Sequence, residues 1–187
     1  MAPRIAPLEP PYRPEIAEML AKWMPPGAAV EPLALFRTMA VHDDLTGRMR
    51  PLGAGILGSD RIPARLRELV IHRTCARCGA EYEWGVHAVG FGRPLGLTDE
   101  QLRATIEDGP DAECWTDEEA TVLRLADELH ETGALTDATF AALRTWFDDA
   151  QILELAICAG WYHVISFVIG TARVEPEPWG LRFADVS

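Results

Sequence analysis

PARLRELVIHRTCARCGAEYEWGVH, residues 63–87, is the stretch on which the reading of this chain turns. Pro63 suits the first turn of a helix, where a missing N–H leaves nothing unsatisfied. Leu66, Leu69, Val70 and Thr74 then recur at the spacing of one apolar helix face. Cys78–Gly79 reads as the end of that helix. Ala80 begins a second one, which carries Glu83 and His87 and runs to about Gly92. Two helices in succession, with no alternation of strand type between them, set the pattern for the whole chain.

Working outward, residues 1–14 hold five prolines and read as an extended arm. Pro14 opens a short helix, Glu15 to Trp23, stopped by Pro25–Pro26–Gly27. Helical patterning resumes at Pro32 with Leu33, Leu35, Phe36 and Met39, and restarts near Asp43–Asp44 until Gly58–Ser59–Asp60 breaks it. Thr98 with Gln101, and Thr116 with Glu119, spell capping boxes. The second starts an amphipathic helix to His130, and Thr136–Asp137 opens another that lasts to Asp148–Asp149. The final helix, from about Asp149 to Ala172, is apolar all round and is expected at the centre of the bundle. The expectation is an all-α fold, one helical domain over 15–175 with an arm at 1–14 and a tail at 176–187. LRELVI at 66–71 is similar to ILELAI at 152–157. Two helical units related by pseudo-symmetry would produce that likeness, as would chance among Leu- and Ala-rich helices. Only the first copy is followed by the Glu–His pair.

The 187 residues are 48% hydrophobic and 25% charged, ordinary for a globular chain, and the net charge of −12 argues against a nucleic-acid partner. MAPRIAPLEPPYRP contains no apolar core of a secretory signal. Glu154, Gly160 and His163 interrupt the longest apolar run, so no membrane span is expected and a cytoplasmic protein is the default. The inventory removes several chemistries. Lys22 is the only lysine and sits in a Pro-flanked segment, which disfavours a Schiff base. Ser59, Ser166 and Ser187 are the only serines, none in a G-x-S-x-G turn, and no glycine-rich phosphate loop occurs.

Glu83 and His87, four apart on a helix, share a face, where a carboxylate holds an imidazole's tautomer and raises its basicity. Glu68 lies on an apolar helix, where burial would raise its pKa and make it a proton carrier. The same residues also read as a surface Glu–His pair beside a surface Glu68. Cys75-x-x-Cys78 would be a redox motif at a helix N-terminus, but here it falls at a helix end, where the dipole opposes a thiolate. No second C-x-x-C or H-x₃-H accompanies it, and E-x-x-H is missing, so no metal site is expected. Arg73 is a candidate carboxylate clamp or an internal ion-pair partner. His72 and His163 read as satisfied helix histidines, and Trp84, Trp146, Trp161 and Phe167 as core.

RELVI at 67–71 through GAEYEWGVH at 79–87 resembles the carboxymuconolactone decarboxylase-like family, which includes the alkylhydroperoxidase D-like proteins. LFRT at 35–38, DELH at 127–130 and WYH at 161–163 extend the likeness over most of the chain. The resemblance implies an all-helical bundle, a homo-oligomer (dimer, trimer or hexamer) and an active site near a subunit boundary. The peroxidase branch has a Glu, a C-x-x-C twelve residues on, and a His four residues after the second Cys. That Glu matches Glu68 and that His matches His87, but the cysteine positions fall on Ala80 and Glu83. Cys75 and Cys78 come five residues too early to replace them.

The resemblance therefore implies a cofactor-independent acid/base enzyme acting on a small oxygenated organic acid, lactone or enone. His87 would move the proton, Glu83 would orient the ring and Glu68 would relay. Tyr82 and Tyr162 are candidate donors, and Arg73, Trp84 and His163 candidate substrate contacts. A thiol peroxidase using Cys75 and Cys78, or a non-enzymatic oligomeric binding protein, are the alternatives.

Overall fold

The computed structural model describes residues 2–24 and 31–187, so the stop at Pro25–Pro26–Gly27 lies outside the described residues. Among the described residues every regular element is helical: α1 (Pro14–Trp23), α2 (Ala34–Met39), α3 (Asp43–Gly58), α4 (Ala64–Arg77), α5 (Glu81–His87), α6 (Asp99–Ile106), α7 (Asp117–Thr132), α8 (Asp137–Leu143) and α9 (Asp149–Ala172). A π-helical turn, Ala88–Gly92, prolongs α5. The fold is all-α, as expected.

Side chains set many of the boundaries. Thr98 and Gln101 cap each other's backbone N–H groups at the start of α6, as do Thr116 and Glu119 at α7. Asp148 and Gln151 form a third such box, at α9. That box explains why the helix opened by Thr136 is shorter than expected: α8 closes at Leu143, and turn bonds carry the chain to the Asp148 cap. Gly133, at φ 71°, ends α7 in the left-handed region that glycine adopts without strain.

The centre of the bundle is α4, and this corrects the expectation for α9. Every residue from Leu66 to Cys75 is buried, with α5, α6, α7 and α9 packed around them. By contrast, Leu153, Ile157, Val164 and Phe167 leave an exposed apolar stripe along α9, with Phe167 63% exposed. Trp146, also read as core, is exposed, while Trp84 and Trp161 are buried. By length and composition α9 is long and apolar enough to cross a membrane, its polar residues notwithstanding, but half of that stretch is buried in the bundle. The likeness of 66–71 to 152–157 stays one of sequence.

Placing α4 at the centre buries four ionisable side chains, each with a partner, and the Thr74 hydroxyl without one. Arg67 donates to the Ser59 carbonyl at 2.9 Å. Arg73 donates to both Asp127 oxygens, at 2.6 and 3.0 Å, and to the Thr105 carbonyl at 2.9 Å. Gly109, at φ 59°, lies against that guanidinium, where any side chain would overlap it. Glu68 and His72, the other two, belong to the site described below.

Both ends of the chain dock. In the arm, Arg4 and Ile5 donate to the Ala172 carbonyl at the end of α9, and Leu8 and Tyr12 pack on Ile16, Leu20 and Ala40. Residues 176–187 fold back on α5: the Phe183 N–H donates to Glu81 at 2.9 Å, and Val186 is buried. The Leu181 carbonyl occupies the space that a side chain at Gly85 would need.

Gly85→Ala is therefore predicted to cost about 1–3 kcal/mol, because the methyl must push the docked segment away. Gly55→Ala, with open space around it, gains about 0.5–1 kcal/mol from reduced chain entropy. Thermal unfolding of the two variants, moving in opposite directions from the parent, checks the docking.

Candidate active site

One turn of α4 separates Glu68 from His72, and both point toward His87 at the end of α5. His72 Nδ1 lies 2.7 Å from the Glu68 carbonyl oxygen, which can only accept, so the ring carries its proton on Nδ1. Its Nε2 is buried beside Gly92 without a partner. Glu68 Oε2 takes a hydrogen bond from His87 Nδ1 at 2.8 Å and lies 3.8 Å from His72 Nδ1. On the other side of the His87 ring, Nε2 is 3.2 Å from the Tyr162 hydroxyl and 3.5 Å from Glu83 Oε1. The ring thus has a carboxylate on each nitrogen. Phe91, four residues on and carried by the π-helical turn, stacks on it at 4.8 Å between centroids.

Exposure runs in one direction. Glu68 and His72 are 0% exposed, Glu83 is 7% and Phe91 is 39% exposed. The second oxygens of both carboxylates, Glu68 Oε1 and Glu83 Oε2, are buried without partners. Glu83 and Phe91 form the outer side of the site, and Glu68 its floor.

The electrostatics follow from this packing. Burial pushes His87 toward the neutral form, but the charge and hydrogen bond of Glu68, then those of Glu83, overcome it and raise the ring to about 10. Glu68 corrects the expectation of a raised carboxyl. Burial alone would raise it, but the charge and hydrogen bond of His87, with smaller contributions from His72 and Arg67, hold it below its ordinary range. His72 goes the other way: burial pushes it down to about 4 against the pull of Glu68. Burial first, and Glu83 second, keep Tyr162 a neutral phenol. The floor of the site is a carboxylate–imidazolium pair.

The remaining predicted residues divide. Tyr162 joins the site. Tyr82 does not: its hydroxyl donates to Glu177 at 2.7 Å and accepts from the Leu35 N–H, tying α5 to the C-terminal segment. Arg73 is no substrate clamp, since Asp127 and the Thr105 carbonyl occupy its guanidinium. Trp84 lies behind the site, donating to Thr105 Oγ1 at 3.0 Å with its ring edge-on to His72. His163 stands apart, beside His130. Cys75 is a free thiol with no exposure, pushed well up by burial and then by Glu83, and Cys78 is free and half-buried. Phe91 and His72 are the site residues that sequence reasoning missed. The signal for each was a four-residue step, from His87 and from Glu68.

The sign of the pH dependence is fixed by these shifts. Stability from the raised His87 is fully present below its unfolded value of 6.5 and is lost as pH rises through about 10. Stability from the lowered Glu68 is present above its unfolded value of 4.5 and is lost as pH falls through the folded one. The pair contributes most between those unfolded values. Glu68→Gln is predicted to cost about 1.5–3 kcal/mol at pH 6, the worth of a hydrogen bond to a charged group. It also weakens the alkaline decline, because Glu83 alone then opposes burial at the ring, and urea unfolding from pH 6 up to about 10 measures both.

No protein-family model matches the chain, and no curated protein sequence does. Solved structures do match. Debrominase Bmp8, as a cysteine-to-alanine variant in complex with 2,3,4-tribromopyrrole, superposes with a TM-score of 0.79 at 15% identity, over 100% of this chain and 96% of that one. An uncharacterized peroxidase-related protein from Ralstonia eutropha JMP134, an alkylhydroperoxidase AhpD core, gives 0.78 at 16% identity, covering 93% of each chain. A peroxidase-related protein from Silicibacter sp. TM1040 gives 0.75 at 14% identity, covering 96% of each. The chain has the alkylhydroperoxidase D-like helical fold.

Proposed function

We propose that the protein is a cofactor-independent acid/base enzyme acting on a small oxygenated organic acid, lactone or enone, by decarboxylation, isomerisation or a related lyase reaction. The observation that carries this reading is the buried His87 ring with Glu68 at 2.8 Å on one nitrogen and Glu83 at 3.5 Å on the other. Glu83 stands where the peroxidase pattern puts its second cysteine, so the relay ends on a carboxylate instead of a thiol. A carboxylate there exchanges protons and does not reduce a peroxide.

In this reading the division of labour differs from the one expected from sequence. Glu68, not Glu83, holds the orientation and charge of the His87 ring from the floor of the site. Glu83, on the outer side, is the group that meets substrate carbon. In a decarboxylation the carbon–carbon bond breaks toward the substrate, CO₂ leaves, and the carbanion equivalent takes a proton from the Glu83–His87 pair. The Tyr162 hydroxyl and the imidazolium steady the developing oxyanion. Water returns the proton. The small bromopyrrole ligand in the Bmp8 neighbour supports a compact organic substrate for this fold.

A thiol peroxidase using Cys75 and Cys78 is the second reading, supported by the peroxidase-related neighbours. The burial of Cys75 weighs against it. A self-associating protein, dimer, trimer or hexamer, is also proposed, supported by the exposed stripe on α9. Phe167→Glu is expected to lower the sedimentation coefficient to that of a monomer.

A panel of carboxylactones, β-keto acids and enones, followed by CO₂ release and product absorbance, tests the reading. On any substrate turned over, His87→Ala and Glu83→Gln each lower kcat by about 10²–10⁴, while Cys75→Ser and Cys78→Ser leave it unchanged. A loss below about tenfold in both acid/base variants contradicts the assignment. Fast hydroperoxide reduction that needs the two cysteines favours the second reading instead, and tight ligand binding without turnover favours a binding protein.

A further inference from the structure

Cys78, His130 and His163 come from three separate elements and meet on the surface of the bundle. Cys78 caps the C-terminus of α4, His130 lies in the last turns of α7, and His163 is on α9. None of the three belongs to the Glu68–His87 site. We propose that they form a binding site for a thiophilic divalent transition ion, zinc above others, with one coordination position open to solvent.

The spacing of the donor atoms is the first argument. His130 Nδ1 is 3.0 Å from His163 Nε2 and 3.7 Å from Cys78 Sγ, and the three donors all lie within 4.8 Å of one another. Tetrahedral zinc with Zn–N of about 2.05 Å and Zn–S of about 2.3 Å separates two nitrogens by about 3.3 Å and a nitrogen from a sulfur by about 3.6 Å. Two of the three separations are therefore close to those the ion requires and the third is within 4.8 Å; rotation of the side chains out of the His130–His163 hydrogen bond completes the fit.

The second argument is tautomeric. His163 Nδ1 donates to the Ala159 carbonyl at 2.8 Å, which leaves the Nε2 lone pair facing the other two donors. A ring nitrogen fixed by a backbone carbonyl on its far side is the support that metal-bound histidines use. Without an ion, His130 Nδ1 donates to that lone pair. On binding, the His130 proton moves to Nε2, the Cys78 thiol loses its proton to solvent, and both imidazoles coordinate as neutral ligands.

Donor type and surroundings agree. One thiolate and two imidazoles suit zinc or copper and not magnesium or calcium, which take oxygen. The nearby cation, Arg77, is held by Glu131 at 2.7 Å and by Asp127 at 3.6 Å, so its charge is largely offset. All three donors are half-buried, and among the described residues no fourth Cys, His or carboxylate joins them. A water or an exogenous ligand completes the coordination, as in three-ligand catalytic zinc sites.

Titration of the reduced, tag-free protein with Co²⁺, then Zn²⁺, tests the proposal. One equivalent of cobalt is expected, with a thiolate-to-cobalt charge-transfer band that zinc abolishes by displacement. Cys78→Ser removes the band; His130→Ala and His163→Ala each weaken zinc binding about tenfold or more; Cys114→Ser changes neither. Stoichiometric zinc is also expected to protect one thiol, Cys78, from alkylation. No saturable zinc binding, zinc affinity within about threefold of the parent in the Cys78, His130 and His163 variants, or a Cys78 alkylated as fast with zinc as without it, each overturns the proposal.

Discussion

A carboxylate with no contact with water must find a cation or give up its charge, and Glu68 of α4 meets that constraint with His87 of α5. Much else in the structure serves the pairing. α4 runs through the centre of the bundle, so its polar residues from Arg67 to Thr74 are removed from solvent together. Arg67 and Arg73 donate to backbone carbonyls and Asp127, while His72 is held neutral by burial and oriented by the Glu68 carbonyl. The short link through Cys78 and Gly79 then turns the chain so that His87 arrives over Glu68. Gly79, at φ 64°, adopts the left-handed conformation that this turn needs.

The outer half of the site rests on that inner pair. Once Glu68 holds the Nδ1 side of the His87 ring, Nε2 is committed to the side where Tyr162 and Glu83 lie. The π-helical turn that follows α5 sets Phe91 on the ring face, and such turns are enriched where a helix serves a function. The C-terminal segment braces α5 from behind through Glu81, Tyr82 and the close approach of Leu181 to Gly85. A short helix of seven residues is thus fixed along its length.

The helices were legible because their signals are local. Capping boxes, prolines at helix starts and apolar spacing are all read within a few residues. The triad of Glu68, Glu83 and His87 was legible from spacing and family likeness together. The fate of Arg73, Tyr82 and His163 was not, because each is decided by a partner far along the chain: Asp127, Glu177 and His130. The centre of the bundle was misplaced for a related reason. Apolar composition marked α9, but burial followed the number of helices packed around α4, which composition does not report. The depressed Glu68 was missed in the same way, since burial was visible in the sequence and the compensating imidazolium was not.

The state of the His87 ring is where this account is most directly exposed. Nitrogen-15 NMR of the histidine-labelled protein distinguishes imidazolium from both neutral tautomers, and His87→Gln assigns the signal. The expected result is a His87 ring protonated on both nitrogens at pH 7 that loses its proton only as the pH approaches about 10, beside a His72 that is neutral with its proton on Nδ1. A His87 that is neutral at pH 7, or that titrates near the ordinary histidine value, would contradict the buried charge pair on which the site is built.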